Sequence, residues 1–431
     1  MQSLTIESLD QEGRGVARRD GKAVFIEGAL PGETVTYSVY RRKASYEQAT
    51  LGSVLGESAL RVAPRCPHFG VCGGCSLQHL DARAQVAVKQ RVLEDSLWHI
   101  GRVRPENILP AIHGPAWGYR HRARFAVRYV PKKGGALVGF HEKKSSYIAD
   151  MGGCEVLPAR ISALIRPLRD LVSALSIRSR LPQIEVALGA GTDALVLRVL
   201  EPLLPPDVEL LRGFAGRYGV RLYLQPGGPE TATPLAAADD ADLYYVLPEF
   251  DLRIYFAPTE FTQVNPAVNG VLVRRALTLL DPQPGERVAD LFCGVGNFAL
   301  AIARSGAIVV GVEGSTELVR RATRNAQANG LSDSASFIER DLYRTGGDPL
   351  AGLGRLDRLL LDPPRDGAVD VVKALPDDGP RRVVYVSCNP GTLARDAAML
   401  VQARGYRFCA AGVVNMFPHT AHVESIAVFD R

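Results

Sequence analysis

Cys388 is the residue of this chain best placed for covalent chemistry. It follows the apolar run 383–386, and Asn389 and Pro390 behind it require a turn. A thiol at the carboxyl end of a sheet strand lies at the edge where open α/β sheets bind their ligands. The pattern indicates a nucleophile, although a cysteine at a strand end is also often only a small buried apolar side chain.

A second group of residues follows the strands of a predicted nucleotide-binding sheet. Residues 290–298, Asp-Leu-Phe-Cys-Gly-Val-Gly-Asn-Phe, join a strand to a helix, and the glycines let the backbone approach a ligand. Glu313 ends the next strand, where a carboxylate reaches ribose hydroxyls. Asp341 follows the third strand, where it suits the amino group of adenine. By fold analogy alone, this arrangement also fits a NAD enzyme.

The turn after the fourth strand favours a methyl donor over a dinucleotide. Residues 361–365 are Leu-Asp-Pro-Pro-Arg, which resembles the substrate-facing motif of S-adenosylmethionine-dependent methyltransferases. A methyl donor near Cys388 narrows the choice of acceptor. Nitrogen acceptors already have a lone pair, whereas carbon 5 of a pyrimidine becomes a good nucleophile only after a thiolate adds to carbon 6. A thiol nucleophile therefore indicates a pyrimidine acceptor.

Such a reaction also requires a base, because the carbon 5 proton must leave before the thiol is expelled. Glu424 lies just before the last predicted strand in an apolar segment, where desolvation raises the pKa of a carboxyl group. His419 and His422 are competing candidates.

Four further cysteines have the pattern of a metal centre. Cys66, Cys72 and Cys75 are separated by five and then two residues in a glycine-rich loop, and Cys154 lies far downstream. Four thiolates suit a [4Fe-4S] cluster or a tetrahedral zinc ion, and the spacing leaves both open. Four ordinary core cysteines are the alternative without a metal.

The elements that must position these residues fall into three predicted domains. Residues 1–55 contain short alternating runs between glycines, which predicts a small β-barrel. Residues 56–255 combine the cysteine loop, a helix and a mixed α+β region. Residues 256–431 alternate strands and helices, which requires a parallel, doubly wound sheet, so the predicted fold class is multidomain α/β. The helix of the central region is predicted from apolar residues near helical spacing: Val86, Val88, Leu93, Leu97 and Ile100.

Composition and charge limit the class of protein. With 431 residues, 46% hydrophobic and 23% charged, the chain is typical of a globular multidomain protein. It shows no export signal and no membrane span, and seven cysteines are too sparse for a disulfide scaffold. A reducing cytoplasm is therefore expected. Residues 61–150 carry fifteen Lys or Arg against six Asp or Glu, which predicts a polyanionic partner.

Basic and aromatic residues alternate in the same region, across a predicted hairpin. Cations that bind phosphates beside rings that stack on bases suit single-stranded RNA, from which a base is flipped out at the lowest cost. The residues are Arg120, Arg122, Arg124, Arg128, Lys132, Lys133, Lys143 and Lys144 with Tyr119, Phe125, Tyr129, Phe140 and Tyr147. Some of these rings are expected to be core residues.

Five ordered motifs together resemble the RNA uracil-C5 methyltransferase family, and the match spans almost the whole chain. The motifs are residues 261–265, 290–298, 361–365, 387–396 and 416–424. Residues 12–17, Glu-Gly-Arg-Gly-Val-Ala, resemble the start of a TRAM domain, an OB-like barrel that binds RNA. Within the family, residues 416–420 and the four-cysteine pattern look most like the bacterial enzymes of 23S ribosomal RNA.

The resemblance implies a function and a set of site residues. Cys388 would be the nucleophile and Glu424 the base in methylation of a flipped uridine in a single-stranded or loop segment of 23S ribosomal RNA. An iron-sulfur cluster, in a structural or RNA-positioning role, is favoured over zinc, and no obligate protein partner is implied. The implied S-adenosyl-L-methionine site consists of Gln263, Phe292, Asn297, Glu313, Asp341 and Asp362. Of these, Gln263 and Asp362 also suit the uracil edge.

Three alternatives remain open from the sequence. A transfer RNA uridine methyltransferase shares the same chemistry. A catalytically silent RNA-binding or redox-sensing protein could retain the fold, although the presence of both Cys388 and Glu424 argues against it. An RNA cytosine-C5 methyltransferase would use two cysteines, and Cys293 is the available second one, but its place in the glycine loop indicates packing.

Overall fold

A computed structural model of the chain describes residues 3–237, 241–343 and 347–431. Its N-terminal part is a six-stranded sheet that packs around a small apolar core including Ile6, Val24 and Val35. The strands are β1 (Ser3–Thr5), β2 (Ser8–Leu9), β3 (Gly15–Arg19), β4 (Lys22–Glu27), β5 (Thr34–Arg42) and β6 (Tyr46–Gly56), in the order β1-β5-β6-β4-β3-β2. The all-β prediction for this part of the chain matches these strands.

The central part begins with the cysteine loop and a helix. The helix, α1 (Ala82–Ser96), ends in a π-helical turn and is followed by the short strand β7 (Asn107–Ile108). A six-stranded sheet, in the order β13-β12-β11-β10-β8-β9, and its helices form a separate core. Its elements are β8 (Arg122–Val130), β9 (Gly135–Gly139), α2 (Ala159–Ser162), α3 (Ile165–Ala174), β10 (Gln183–Leu188), β11 (Asp193–Arg198), α4 (Pro205–Tyr218), β12 (Val220–Gln225) and β13 (Thr233–Pro234).

The C-terminal part alternates strands and helices after one hairpin. Its elements are β14 (Leu243–Leu247), β15 (Leu252–Phe256), α5 (Pro266–Leu280), β16 (Arg287–Leu291), α6 (Ala299–Ala303), β17 (Ile308–Glu313), α7 (Thr316–Ala328), β18 (Ala335–Glu339), β19 (Arg358–Leu361), α8 (Val369–Ala374), β20 (Arg382–Ser387), α9 (Pro390–Gln402), β21 (Arg407–Val414) and β22 (Glu424–Asp430). The near-continuous apolar runs of the strands explain why they are buried on both faces.

The order of strands in this sheet determines where a ligand can bind. It is β18-β17-β16-β19-β20-β22-β21-β7, with the first five strands parallel. Strand β22 is antiparallel to both of its neighbours. The amino end of β22 therefore lies at the same edge as the carboxyl ends of the parallel strands, where open α/β sheets bind their ligands.

The helix predicted from apolar spacing is present as α1, but polar residues share its buried face. Its buried residues are Gln85, Lys89, Val92, Leu93 and Ser96, whereas Val86 and Val88 are only partly buried and Ile100 is 53% exposed. The apolar spacing predicted the helix, and Leu93 and Leu97 are buried. It did not predict the burial of Gln85 and Lys89, which bind polar groups of the segment that precedes β22.

Two stretches inside residues 56–255 pack against the C-terminal core. Helix α1 contacts α9 and β21, and β7 extends the C-terminal sheet beside β21. The β14–β15 hairpin shares its apolar core with α5. Within the described residues, no helix has the length and apolar character needed to cross a membrane.

Candidate active site

A cavity of about 480 Å³ lies at the carboxyl edge of the parallel strands. All eight residues that the sequence assigned to the methyl donor or to catalysis line it: Gln263, Phe292, Asn297, Glu313, Asp341, Asp362, Cys388 and Glu424. They are distant in the chain and meet because the ends of β16, β17, β18, β19 and β20 converge with the start of β22.

The glycine-rich turn after β16 has a strained conformation that its hydrogen bonds maintain. Phe292 is left-handed, with φ 65, and its N–H and that of Cys293 both donate to the Val312 carbonyl. The Glu313 carboxylate accepts from the Gly294 N–H at 3.0 Å and also caps the next turn. Glu313 therefore closes the loop from the end of β17.

Asn297 is held from outside the glycine turn. It exchanges amide hydrogen bonds of 3.0 Å with Asn269 of α5. Its carbonyl oxygen also accepts from the Tyr245 hydroxyl at 2.8 Å. These contacts fix the glycine turn to α5 and to the β14–β15 hairpin, so the Asn297 side chain already has protein partners.

The pairing of β20 with β22 brings Cys388 and Glu424 together. Ser387 is paired with Ser425 in this antiparallel ladder. One step further along the same register, Cys388 lies opposite Glu424. Residues directly opposite on antiparallel strands project their side chains to the same side of the sheet. The register thus explains why a thiol and a carboxylate 36 positions apart in the chain line one cavity.

Two carboxyl groups of this site are partly or wholly removed from solvent: Glu424 is buried and Asp362 is half-buried. Burial, reinforced by Asp362, raises the pKa of Glu424 to about 8, while Lys89 opposes the rise. Burial also raises the pKa of Asp362 to about 7. The Oε2 atom of Glu424 is buried and accepts no hydrogen bond from the described residues. A carboxyl group with a pKa near neutrality is suited to take up a proton and release it again.

The surroundings of Cys388 favour the protonated form of its thiol. Burial, with Glu424 and Asp362, raises its pKa to about 11, and Arg365 acts in the opposite direction. The Arg365 carbonyl accepts from the Asn389 amide at 3.1 Å. This contact ties the Asp-Pro-Pro-Arg turn to the turn that carries the thiol.

Cys388 also lines a second cavity, which has a volume of about 380 Å³. Arg365 and His422 line this cavity too, and their side chains are in contact at 2.5 Å. A methyl donor in the first cavity and an acceptor base from the second would therefore meet at Cys388.

The two histidines considered as bases are held as neutral side chains. His419 stacks on Trp117 at 3.8 Å and binds Gln85 through Nδ1. Burial is the first cause that lowers the pKa of His419, and also that of His422, to about 4. His419 is absent from the lining of both cavities, whereas His422 lies beside Arg365.

The four cysteines of the proposed metal centre line one small cavity. Burial and mutual repulsion raise the pKa values of Cys75 and Cys154 to about 11 and about 12. The Gly74 N–H points to the Cys72 sulfur at 3.4 Å. No three Cys, His, Asp or Glu side chains of the described ranges already stand in a metal-holding arrangement. Buried thiols that repel one another as thiolates nevertheless suit a positively charged centre.

A groove of about 670 Å³ lies beside the cysteine loop and shares His422 with the second cavity of Cys388. We call it the basic groove, since four Lys or Arg residues line it against three glutamates. It is lined by residues of the N-terminal sheet, the central part and the segment before β22, among them Arg14, Arg120, Phe140, Lys143, Lys144, Phe417 and His422. Arg14 pairs with Asp10 and Lys144 with Glu27. Arg120 and Lys143 pair with no carboxylate in the described part of the chain.

Only some of the basic and aromatic side chains of the predicted hairpin are exposed. Arg122 is bound to the Pro258 carbonyl at 2.7 Å, and burial lowers its pKa to about 10. Phe125 is fully buried, and Tyr119 donates its hydroxyl to the Pro418 carbonyl. These three residues serve the core, whereas four cations of the hairpin are exposed outside the groove: Arg124, Arg128, Lys132 and Lys133.

Two buried residues of this region were missed from the sequence. Lys89 is 1% exposed and donates to the Asn415 side chain and the Phe417 carbonyl, at 2.7 and 2.8 Å. Asp290 is fully buried with both carboxylate oxygens unbonded in the described structure, and burial raises its pKa well above the usual range. The sequence signal for Asp290 was its place in the glycine-turn motif. The only signal for Lys89 was that a lysine interrupts the apolar face of a predicted helix.

Sequence comparison confirms the resemblance that the motifs indicated. The profile of the tRNA (uracil-5-)-methyltransferase family matches residues 248–431, and that of the TRAM domain matches residues 1–46. The chain is 63% identical to the 23S rRNA (uracil(1939)-C(5))-methyltransferase RlmD of Nitrosospira multiformis, over 99% of this chain and 98% of that protein. It is 60% identical to the RlmD protein of Aromatoleum aromaticum, with 100% of both chains covered.

The fold is shared with a solved structure. The tRNA (uracil-54, C5)-methyltransferase of Pyrococcus abyssi, in complex with S-adenosyl-L-homocysteine, superposes with a TM-score of 0.75. Sequence identity is 25%, and 99% of each chain is covered. Motifs, fold and full-length relatives agree, and the chain therefore belongs to the S-adenosylmethionine-dependent RNA (uracil-C5)-methyltransferase family.

Proposed function

We propose that this protein methylates carbon 5 of a uridine in 23S ribosomal RNA. The observation that carries the proposal is the position of Cys388 opposite Glu424, where the cavity of about 480 Å³ meets the second cavity. S-adenosyl-L-methionine supplies an electrophilic methyl group when bound. The protein must then make carbon 5 of uracil nucleophilic and afterwards restore the aromatic base.

Cys388 and Glu424 divide this work. The Cys388 thiol first loses its proton to water. The thiolate then adds to carbon 6, which places negative charge on the uracil ring and makes carbon 5 the nucleophile for the methyl group. Glu424 then removes the carbon 5 proton, the carbon 5–carbon 6 double bond re-forms, and the thiolate of Cys388 leaves. Arg365 is the cation that favours the thiolate of Cys388. Glu424 ends the cycle protonated and must lose its proton before the next one.

We assign the methyl donor to the cavity of about 480 Å³. Glu313 would bind the ribose, Asp341 the adenine amino group, and Phe292 would pack against the adenosine. Gln263, Asn297 and Asp362 line the same cavity as Cys388, and Gln263 and Asp362 also suit the polar edge of uracil. The raised pKa of Asp362 supports this role, because a protonated carboxyl can donate a hydrogen bond to a uracil carbonyl.

The RNA is assigned to the basic groove. Arg120 and Lys143 are its cations without a carboxylate partner, and Phe140 offers a ring beside them. A uridine flipped from a single-stranded or loop segment would reach Cys388 through the second cavity. The names of the full-length relatives give uracil 1939 as the target position. Because the active site needs a reduced thiol, we place the reaction in the cytoplasm.

Incubation with a methyl-labelled donor tests this function directly. We expect label in a 23S ribosomal RNA transcript at the uridine numbered 1939 in the relatives, and much less label in transfer RNA. Replacement of that uridine by cytidine in the transcript is the matched control and should remove the label. Preferential labelling of transfer RNA would instead favour the activity named for the Pyrococcus abyssi structure, and labelling of neither RNA would refute the proposal.

We further propose that Cys66, Cys72, Cys75 and Cys154 hold a [4Fe-4S] cluster, with zinc as the alternative. A four-thiolate cluster carries net negative charge. Burial raises the pKa of the Cys72 thiol, and the nearby cations Lys143 and Arg120 oppose this rise and so favour its thiolate. The cluster would join the loop of residues 66–75 to Cys154 and so fix one wall of the basic groove.

Anaerobic purification should give a protein with broad visible absorbance and about four iron atoms per chain. The Cys154→Ser variant should lose most of this iron, since burial leaves no replacement ligand beside it. Cys409→Ser, a change at a cysteine outside this cavity, should retain all of it. One zinc per chain without visible absorbance would favour zinc, and a metal-free folded protein would contradict both assignments.

A further inference from the structure

We propose that Lys89 is a positioning residue for the elimination step: its buried ammonium group stabilises the ionised form of Glu424 and anchors the segment in front of β22. This inference rests on the proposed function. Lys89 lies in α1, outside the sheet that carries the other site residues, and belongs to none of the motifs that identify the family.

The geometry of Lys89 is unusual for a lysine. It is 1% exposed, in the middle of a helix, and its Nζ donates to Asn415 Oδ1 at 2.7 Å and to the Phe417 carbonyl at 2.8 Å. Both acceptors are neutral, and Lys89 forms no ion pair with a carboxylate in the described residues. Burial of a cation costs desolvation energy, which an interaction with a nearby negative charge can offset.

The carboxyl group that interacts electrostatically with Lys89 is that of Glu424. The Oε2 atom of Glu424 is buried without a hydrogen-bond partner among the described residues, and the adjacent Asp362 repels its ionised form. Lys89 acts against both effects on the pKa of Glu424, and Glu424 in turn supports the charge of Lys89, whose pKa burial lowers to about 7. The two groups therefore favour ionisation of each other without direct contact.

Other titratable groups around this pair act in known directions. The charge of Lys89 contributes to the lowered pKa values of His419 and His422, so these two side chains remain neutral. Glu424 and Asp362 raise the pKa of Cys388. Lys89 is thus the cation that faces this acidic site from α1, whereas Arg365 faces it from the turn after β19.

The hydrogen bonds of Lys89 also anchor the segment that precedes β22. Asn415 and Phe417 lie between β21 and β22, on the segment that leads to Glu424. Gln85, one helical turn before Lys89, binds the same segment at the backbone N–H of His419. Helix α1 therefore holds both ends of the turn that presents the base, and the ammonium group is the charged part of this support.

The expected consequence is specific to proton removal. Glu424 must be ionised when it takes the carbon 5 proton and must lose that proton before the next cycle. Loss of the Lys89 charge raises the pKa of Glu424, so the fraction ionised at a given pH falls. Addition of Cys388 to carbon 6 and methyl transfer do not require Glu424 to take the carbon 5 proton, so these steps should be affected less.

The test is the Lys89→Met variant, which keeps the length of the side chain and removes its charge. For uridine RNA, we expect the acid limb of the single-turnover pH profile to move up by about one pH unit, with turnover at neutral pH slower by about tenfold. For RNA with 5-fluorouridine at the target, where carbon 5 has no proton to remove, the covalent adduct should form at a rate within about twofold of the unchanged protein.

Three further variants separate charge from packing. Lys89→Arg retains the charge and should keep the original pH midpoint. Arg91→Met removes an exposed charge from the same helix and should also leave the midpoint unchanged. Asn415→Asp is nearly isosteric and places a carboxylate on the Lys89 ammonium, so it should shift the midpoint upward even if Lys89→Met folds poorly.

The outcomes are distinguishable from failure of the proposed function. If the unchanged protein forms no adduct with 5-fluorouridine RNA, the proposed chemistry itself is wrong. If it forms the adduct and turns over uridine RNA, but Lys89→Met and Asn415→Asp keep its pH midpoint, the role of Lys89 is overturned. An equal slowing of adduct formation and turnover in Lys89→Met, without a pH shift, would show a merely structural role and would also overturn it.

Discussion

Replacing Cys388 with alanine is expected to abolish methylation, with a loss of at least about 10⁴-fold in turnover and no covalent complex with RNA. Without the thiol, carbon 5 of uracil never becomes a nucleophile, and no other cysteine can take over. Cys293, the remaining thiol of the donor cavity, is buried, and burial raises its pKa well above the usual range. Turnover is measured with labelled donor, and the complex by denaturing electrophoresis.

The matched control for this variant is Cys409→Ala. Cys409 is a partly exposed thiol on β21 that lines none of the cavities described above, so its loss should leave turnover unchanged. Cys388→Ala should still bind S-adenosylhomocysteine, because the thiol is only one part of the cavity wall. Turnover by Cys388→Ala within tenfold of the unchanged protein would exclude covalent catalysis by this residue.

The sequence predicted the positions at the sheet edge well, for a simple physical reason. In a parallel sheet every strand ends at the same edge, so residues such as Glu313, Asp341 and Asp362 are placed by strand ends alone. Strand ends alone do not predict that Cys388 lies opposite Glu424. This arrangement depends on β22 entering the sheet antiparallel beside β20, which is a long-range choice that no local pattern specifies.

The sequence failed where polar groups replace apolar ones in a core. The apolar spacing predicted helix α1, in which Leu93 is buried, but it gave no sign that Gln85 and Lys89 are buried beside it. Their partners lie more than 300 positions away, so the balance between desolvation and hydrogen bonding could not be judged locally. The same limit applies to Arg122, which reads as an RNA-binding cation but is bound to a carbonyl of the core.

Replacing Glu424 with glutamine is expected to arrest the reaction after methyl transfer. Glutamine has nearly the same shape but cannot accept the carbon 5 proton, so the methylated uridine should remain bonded to the sulfur of Cys388. We expect release of product to slow by about 10³-fold, while one equivalent of methyl label is still transferred per active site. Denaturing electrophoresis should then show an RNA–protein complex that carries the label.

The position of the label decides between the possible bases. A methyl-labelled complex in Glu424→Gln that disappears in the double variant Cys388→Ala and Glu424→Gln must be bonded through Cys388 and must await proton removal by Glu424. If His422 were the base, Glu424→Gln would release product normally, and His422→Gln would accumulate the complex instead. The burial of Glu424 makes the first result the expected one. Its pKa of about 8 lets it hold the abstracted proton at neutral pH, whereas the pKa of His422, lowered to about 4, leaves that imidazole a weak base.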